Sequence, residues 1–354
     1  MDFIMSVSTV LFGTAPNGKN VDKIMLENKN GMKASIVTFG ATLLELFCPD
    51  KNGELADILV GLDSMEGFLN YWDYQGAVVA PVANRIGNGG FTLDGKFYKL
   101  NSNKAGDVTL HSCGEMTYAV WDYETVGENG VKLSLSHADG TNGFPGNIDI
   151  TVTYTLEDDN KLHIAYTAIS DKKTIINPTN HAYFNLAGFD GTAEEMLSHL
   201  LQLNCSRFVP VDKFSVPTGE IMNVEGTPFD FRSPKEIGME INTENEQLKN
   251  TSGYDHNFCV DNWDKTLRTA AVAYLPSTGR CLEVITDLPG VQFYAGNFLK
   301  GLPGKENKPM SYRCGFCLET QYYPDTINHP NFPQNVLEAN TPFETETILA
   351  LSIK

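Results

Sequence analysis

Five short stretches of this chain set ionisable and amide side chains among apolar residues, glycine and proline. They are Pro81-Val82-Ala83-Asn84-Arg85-Ile86-Gly87-Asn88-Gly89, Thr109-Leu110-His111-Ser112, Asn177-Pro178-Thr179-Asn180-His181-Ala182-Tyr183-Phe184-Asn185-Leu186, Gly253-Tyr254-Asp255-His256-Asn257-Phe258 and Leu318-Glu319-Thr320-Gln321-Tyr322-Tyr323-Pro324-Asp325. Each alone reads most simply as a turn, or as a buried polar group satisfied by backbone. Their combined inventory is more pointed: one arginine, three histidines, a few carboxylates, several amides and no lysine. That set suits hydrogen bonding to a neutral polyhydroxylated ligand, with proton transfer at one pair of atoms. A sugar ring fits it, because each hydroxyl both donates and accepts, and two-pronged Arg and Asp groups match vicinal diols.

The elements that must position these stretches are strands. From Ile148 to Leu156 apolar residues alternate with polar ones, the polar cluster Glu157-Asp158-Asp159-Asn160 intervenes, and alternation resumes from Leu162 to Ala168. This predicts a hairpin with one buried face. Similar patterns run through Ser35–Val37, Thr42–Phe47, Lys132–Ser136, Leu267–Tyr274 and Cys281–Thr286. Helical patterns are few and short: Ser64 to Tyr71, Ala193 to Leu201, and Pro234 to Leu248. No strand–helix–strand rhythm appears, which argues against a parallel sheet. The 31 glycines and 17 prolines are spread as the turns of an antiparallel protein require. No linker or repeat interrupts the chain, so the reading is one all-β antiparallel domain over residues 1–354.

Composition narrows the function. With 26 basic and 44 acidic residues the formal charge is −18, which disfavours nucleic acid and anionic membrane as partners and leaves neutral small molecules open. Seven cysteines, scattered except for Cys314 and Cys317, suit reduced thiols in the cytoplasm; a lone C-x-x-C is weak evidence for zinc. Met1 to Thr9 lacks the pattern of a secretory leader, and no window is apolar enough to span a membrane. Neither a G-x-G-x-x-G after a strand nor a P-loop is present, so no nucleotide cofactor is expected.

In order and spacing the stretches resemble the aldose 1-epimerase (galactose mutarotase) family. The resemblance rests on Ala83-Asn84-Arg85-Ile86 followed by Gly90-Phe91-Thr92-Leu93-Asp94-Gly95-Lys96, on Leu110-His111, and on Gly143-Phe144-Pro145-Gly146. It continues through the ten-residue run Asn177–Leu186, Gly253–Asn257, Val291-Gln292-Phe293-Tyr294 and Leu318-Glu319-Thr320-Gln321. It implies a large antiparallel supersandwich, no metal or other cofactor, and mutarotation of free aldoses such as glucose or galactose. It further implies Glu319 as catalytic base, His181 as catalytic acid and His111 as a second active-site histidine. Asn84, Arg85, Tyr183, Asp255 and Gln292 match positions that contact the sugar or line its site.

The implied chemistry needs proton transfers alone. A base removes the O1 proton while an acid protonates the ring oxygen, and the open-chain aldehyde rotates and recloses. The expected resting state is an ionised Glu319 and an often protonated His181, with Asp255 favouring the imidazolium. Where the family commonly reads His-Gly-Gly, this chain has His111-Ser112-Cys113, which should alter that loop's dihedrals. Three alternatives stay open: a non-catalytic carbohydrate-binding protein, a glycoside hydrolase using Asp255 and Glu319, and a two-His-one-carboxylate metal site from His111, His181 and Glu319. His256 is open between an orienting and a structural role, and a monomer or weak homodimer is expected.

Overall fold

A computed structural model describes residues 6–299 and 301–354; the first part of the segment read for a leader, Met1–Met5, lies outside them. Three antiparallel sheets organise the chain. The first is a five-stranded meander of Ser6–Thr14, Asn20–Glu27, Lys33–Val37, Thr42–Pro49 and Leu55–Asp57. The second has nine strands and places Phe343–Ile353 at its middle, between Lys161–Ser170 and Arg280–Thr286. The expected hairpin is there, pairing Ile148 with Ser170 through Leu156 with Leu162. The third sheet runs in the order Met222–Asn223, Arg207–Phe208, Asp255–Cys259, Gly290–Tyr294, Cys317–Gln321.

One large apolar cluster joins the sheets. Ile24 and Ile36 reach it from the meander, Val152, Ile164 and Leu349 from the large sheet, and Phe258, Phe293 and Leu318 from the third. Burial of these side chains, at about 25 cal/mol per Å², is what the period-two pattern accomplishes. Thr320 Oγ1 lies 2.6 Å from Thr347 Oγ1, fixing the third sheet against the long strand Phe343–Ile353. A buried ion pair ties the meander to a distant loop. Lys305 Nζ bonds Asp57 Oδ2 at 2.5 Å and the carbonyls of Leu44 and Leu59.

Helices number three among the described residues: Met65–Tyr71, Ala193–Leu197 and Glu246–Thr251. The first begins where the sequence indicates, with Ser64 accepting from Gly67 N. The second is shorter than expected, because Leu200–Leu203 leaves to pair with Arg268–Tyr274 in the large sheet. The expected helix from Pro234 to Leu248 does not form. Lys235–Glu236 extends the large sheet's edge, Ile237 and Ile241 reach the core from turns, and helix starts only after the Asn245 cap. Tertiary packing of two isoleucines overrides helical spacing there.

Candidate active site

The third sheet carries two chemistries on two faces. Its pairing sets Asp255 opposite Tyr294 and Tyr294 opposite Cys317; one row on, Asn257 faces Gln292 and Gln292 faces Glu319. Side chains two apart share a face, so these polar residues project together. His256, Phe258, Phe293, Leu318 and Thr320 project the other way, and Phe208 and Phe229 pack on His256. This makes His256 a core residue, with Nδ1 accepting from Asp255 N. All three strands are buried on both faces.

Three other segments close over the polar face. Thr179–Asn180 pairs with Val78–Val79, and Tyr183–Phe184 with Leu59–Val60, which leaves His181 between two short ladders. The amides and hydroxyls of this run stitch it to the sheet edge. Asn177 brackets Tyr322 with both amide atoms, Thr179 Oγ1 donates to Thr320 O, and Asn185 Nδ2 donates to Cys314 O. Gly76, at φ +73°, donates its N–H to the His181 carbonyl and accepts from Asn180 Nδ2 and Leu43 N. Arg85–Ile86 pairs with Thr109–Leu110, bringing His111 beside Asn84.

A cavity of about 520 Å³ lies where these segments meet. Glu319, His181, His111, Asn84, Arg85, Tyr183 and Asp255 all line it. Gln292 stands one bond further back, donating from Nε2 to Asp255 Oδ1 at 2.7 Å. The other Asp255 oxygen is 3.5 Å from Arg85 Nη2. His181 Nε2 lies 3.7 Å from Glu319 Oε1, and both side chains are buried. Glu319 Oε2 is buried with no hydrogen-bond partner. The His181 ring stacks on Tyr183 at 5.0 Å between centroids. Asp73, Tyr74, Lys104 and Tyr294 also line the cavity. Tyr74, whose ring packs on His111 at 4.6 Å, follows the first helix in a stretch with no strand pattern, and only its proximity to Gly76 signals a tight turn.

The electrostatics differ from the sequence expectation. Burial pushes His181 down to about 4, and a hydrogen bond to its own main chain offsets only part of this. Burial raises the Glu319 carboxyl well above its ordinary range; the negative charge of Asp255 adds to the rise and Arg85 opposes it. Asp255 therefore acts on Glu319, and not on His181 as expected. Burial thus favours the uncharged form of each member of the pair. His111 is also held neutral, by burial first and then by the neighbouring His181 and Arg85.

The two histidines are hydrogen-bonded differently. His111 Nδ1 accepts the Asn84 N–H at 3.1 Å. The neutral ring must then carry its proton on Nε2, which makes His111 a donor toward the cavity. This bears on the metal alternative, since His111, His181 and Glu319 offer atoms within 4.8 Å of one another. Ligation through His111 Nε2 would move the proton to Nδ1, against the Asn84 N–H, so the donor set fits a metal poorly. Cys314 and Cys317 are buried free thiols and join no metal-like cluster among the described residues.

The loop after His111 has dihedrals that glycine adopts more freely than other residues. His111, Ser112 and Cys113 have φ of 52°, 48° and 56°. Ser112 offsets the strain by closing its hydroxyl on Val82, accepting from N at 3.0 Å and donating to O at 2.9 Å. The remaining histidines lie outside the site. His137 pairs with Glu115, His163 with Glu346 and His329 with Asp325, while His199 accepts from Leu186 N.

Comparison with known proteins points to one family. The family profile described as aldose 1-epimerase matches residues 22–350. A bovine protein named galactose mutarotase is 40% identical over 352 residues, covering 99% of this chain and 100% of its own. An aldose 1-epimerase from Haemophilus influenzae is 38% identical over 319 residues, 90% of this chain and 91% of that protein. Among solved structures, galactose 1-epimerase from Lactobacillus acidophilus superposes with a TM-score of 0.86 at 28% identity, covering 99% of both chains. An aldose epimerase homologue from C. elegans gives 0.85 at 31% identity, covering 94% of this chain and 98% of that one.

Proposed function

We propose the following division of labour for a chain that belongs to the aldose 1-epimerase family and interconverts the α and β anomers of free aldoses: Glu319 is the general base and His181 the general acid. The observation that carries this assignment is the buried His181–Glu319 pair at the cavity, with one carboxylate oxygen left unpartnered. Glu319 takes the proton of the anomeric hydroxyl. As the C1–O5 bond breaks, its electron pair goes to O5, and His181 Nε2 delivers a proton there. The aldehyde rotates about C1–C2 and both transfers run backwards.

Over this cycle the pair holds one proton in the active ground state. An ionised Glu319 with a protonated His181 meets the closed ring, and a neutral pair accompanies the open chain. Burial brings the second arrangement within reach, since it penalises both charges. A strongly depressed imidazolium is also a strong acid, as protonation of a weakly basic ring oxygen requires. His111 donates from Nε2 throughout and does not cycle. Arg85 and Asp255 receive the remaining hydroxyls as a two-pronged pair, held by Gln292 and the Asn84 turn. Both oxygens of Asp255 are engaged within the protein, which disfavours it as the second carboxylate of a hydrolase.

Hexoses such as galactose and glucose are the proposed substrates, in keeping with the name of the bovine relative. The protein is proposed to work in the cytoplasm as a monomer or weak homodimer, without nucleic acid, membrane or cofactor. No described helix is long and apolar enough to cross a bilayer.

The test is polarimetry of freshly dissolved α-D-galactose and α-D-glucose with wild type, Glu319→Gln and His181→Ala. Each variant should lose roughly 10²–10⁴-fold in kcat. Retention of wild-type rates by either variant would remove that residue from the assignment. The ratio of wild-type rates on the two sugars gives the preference.

A further inference from the structure

The strand that carries Glu319 also carries Cys317, two residues earlier and on the same face. Cys317 Sγ lies 3.4 Å from His181 Nδ1, its one hydrogen-bond contact among the described residues. Cys317 is 0% exposed and His181 5% exposed, so no water competes for this contact. Stacking on Tyr183 and an edge contact with Tyr294 at 6.3 Å hold the ring's plane. These two contacts do not choose which ring nitrogen bears the proton; the hydrogen bond to the ring's own main chain, which Nδ1 alone can reach, favours the same nitrogen as the sulfur. Acid catalysis through Nε2 has one requirement: Nδ1 must keep its hydrogen while Nε2 gives up and regains the other.

We propose that Cys317 is a positioning residue for His181, its sulfur accepting the Nδ1–H and so fixing the tautomer whose Nε2 exchanges a proton with the ring oxygen. The proposal rests on the reading of His181 as the acid. Sulfur suits this place for a reason of charge. A carboxylate behind a histidine fixes the same tautomer but also stabilises the imidazolium, raising its pKa and weakening it as an acid. A neutral sulfur is a weak acceptor; it orients the ring and adds no negative charge. Burial raises the Cys317 thiol well above its ordinary value, and so do the charges of Glu319 and Asp255. The group therefore stays a neutral thiol. The two site histidines are then set in opposite tautomers. The Asn84 N–H turns His111 into a donor at Nε2, whereas Cys317 leaves His181 with an open Nε2.

The experiment is ¹⁵N NMR of histidine-labelled protein without sugar at neutral pH, with the His181 signal identified by its loss in His181→Ala. The expected result is a protonated Nδ1 and an unprotonated Nε2 in wild type and in Cys317→Ser, and a mixture of tautomers in Cys317→Ala. In polarimetry Cys317→Ala should lose about tenfold in kcat, the factor that one ordinary hydrogen bond corresponds to, with KM unchanged. Cys317→Ser, which keeps an acceptor, should stay near wild type. A wild-type His181 protonated on Nε2 overturns the proposal, and so does an equal loss in the Ser and Ala variants, which would mean packing alone. The tautomer is read on resting protein, so this failure is separate from a failure of the acid–base assignment, which shows as activity surviving in His181→Ala.

Discussion

Replacing Gly76 with alanine should disable catalysis from outside the cavity. An added Cβ would stand 2.2 Å from the Leu43 carbonyl oxygen and 3.1 Å from Thr42 Cγ2. Real Cβ atoms essentially never come within 3.0 Å of such a neighbour, so the backbone must yield by about 0.8 Å or more. Leu43 has little room to move, because its own N–H is bonded to the Gly76 carbonyl. The displacement therefore passes to the other partners of Gly76, which are the His181 carbonyl and the Asn180 amide. A misplacement of about 1 Å can cost on the order of 10²-fold in rate, and that is the loss expected in kcat. Left-handed strain and overpacking together should lower stability by about 2–4 kcal/mol. Gly95→Ala is the control. Gly95 has nearly the same backbone, φ +78°, but nothing lies within 4 Å of its added Cβ. It should lose about 1 kcal/mol and no activity. Polarimetry and thermal melts on the two variants make the comparison. If Gly76→Ala melts lower yet turns over sugar at more than half the wild-type rate, the claimed coupling between Gly76 and His181 is wrong.

Three further outcomes are expected. The rate–pH profile should be bell-shaped, because the pair must hold a single proton. The acid limb should lie near pH 4, where His181 gains a proton beside a neutral Glu319, and the alkaline limb where Glu319 gives up its raised proton; an acid limb at 6.5, the ordinary histidine value, would refute burial as the controlling effect. Gln292→Met removes the donor to Asp255 Oδ1 and should raise KM about tenfold by loosening the hydroxyl clamp, with melting temperature as the check for a general fold defect. Lys305→Met strands the Asp57 carboxylate in the core and should cost about 3–5 kcal/mol in denaturant titrations. Burial raises Asp57, so protonation relieves the deficit and the loss should shrink as pH falls; a deficit that grows in acid would count against the buried-charge account.

Parts of the meander and of the nine-stranded sheet were legible in the sequence because water supplies the contrast, although Ser6–Thr14, Asn20–Glu27 and the central Phe343–Ile353 were not read as strands. Along Ile148–Leu156 and Lys161–Ser170 buried residues alternate with partly exposed ones, and polarity follows. The strands bearing the site give no such contrast. Asp255–Cys259, Gly290–Tyr294 and Cys317–Gln321 have no exposed residue, so their alternation sets buried polar groups against core. Read for solvent, it looks like a break in the pattern. The resemblance located Glu319, His181 and Asp255 nonetheless, since it depends on residue identity and not on periodicity. It placed Gln292 with the sugar contacts although the structure sets it behind Asp255, a one-bond distinction that only side-chain geometry makes. Asp73 and Tyr74 went unread because the loop holding them gains meaning only when His181 and His111 fold against it. The direction in which burial moves the pair was not legible for a related reason, since burial is invisible until the sheets close.

The alternation of the third sheet also limits how this protein can change. In its three buried strands neighbouring letters face opposite ways, Asp255 and Asn257 to the polar face, His256 and Phe258 to the core. Deleting or inserting one residue there would exchange the two sets, turning Phe258 toward the sugar and a carboxylate into the hydrocarbon. Such lesions cannot be mended by any single substitution elsewhere. Descent within this fold should therefore leave the lengths of these strands untouched, while the turns between them lengthen and shorten freely, and a library built to shift sugar preference should vary letters on the cavity face and never their count.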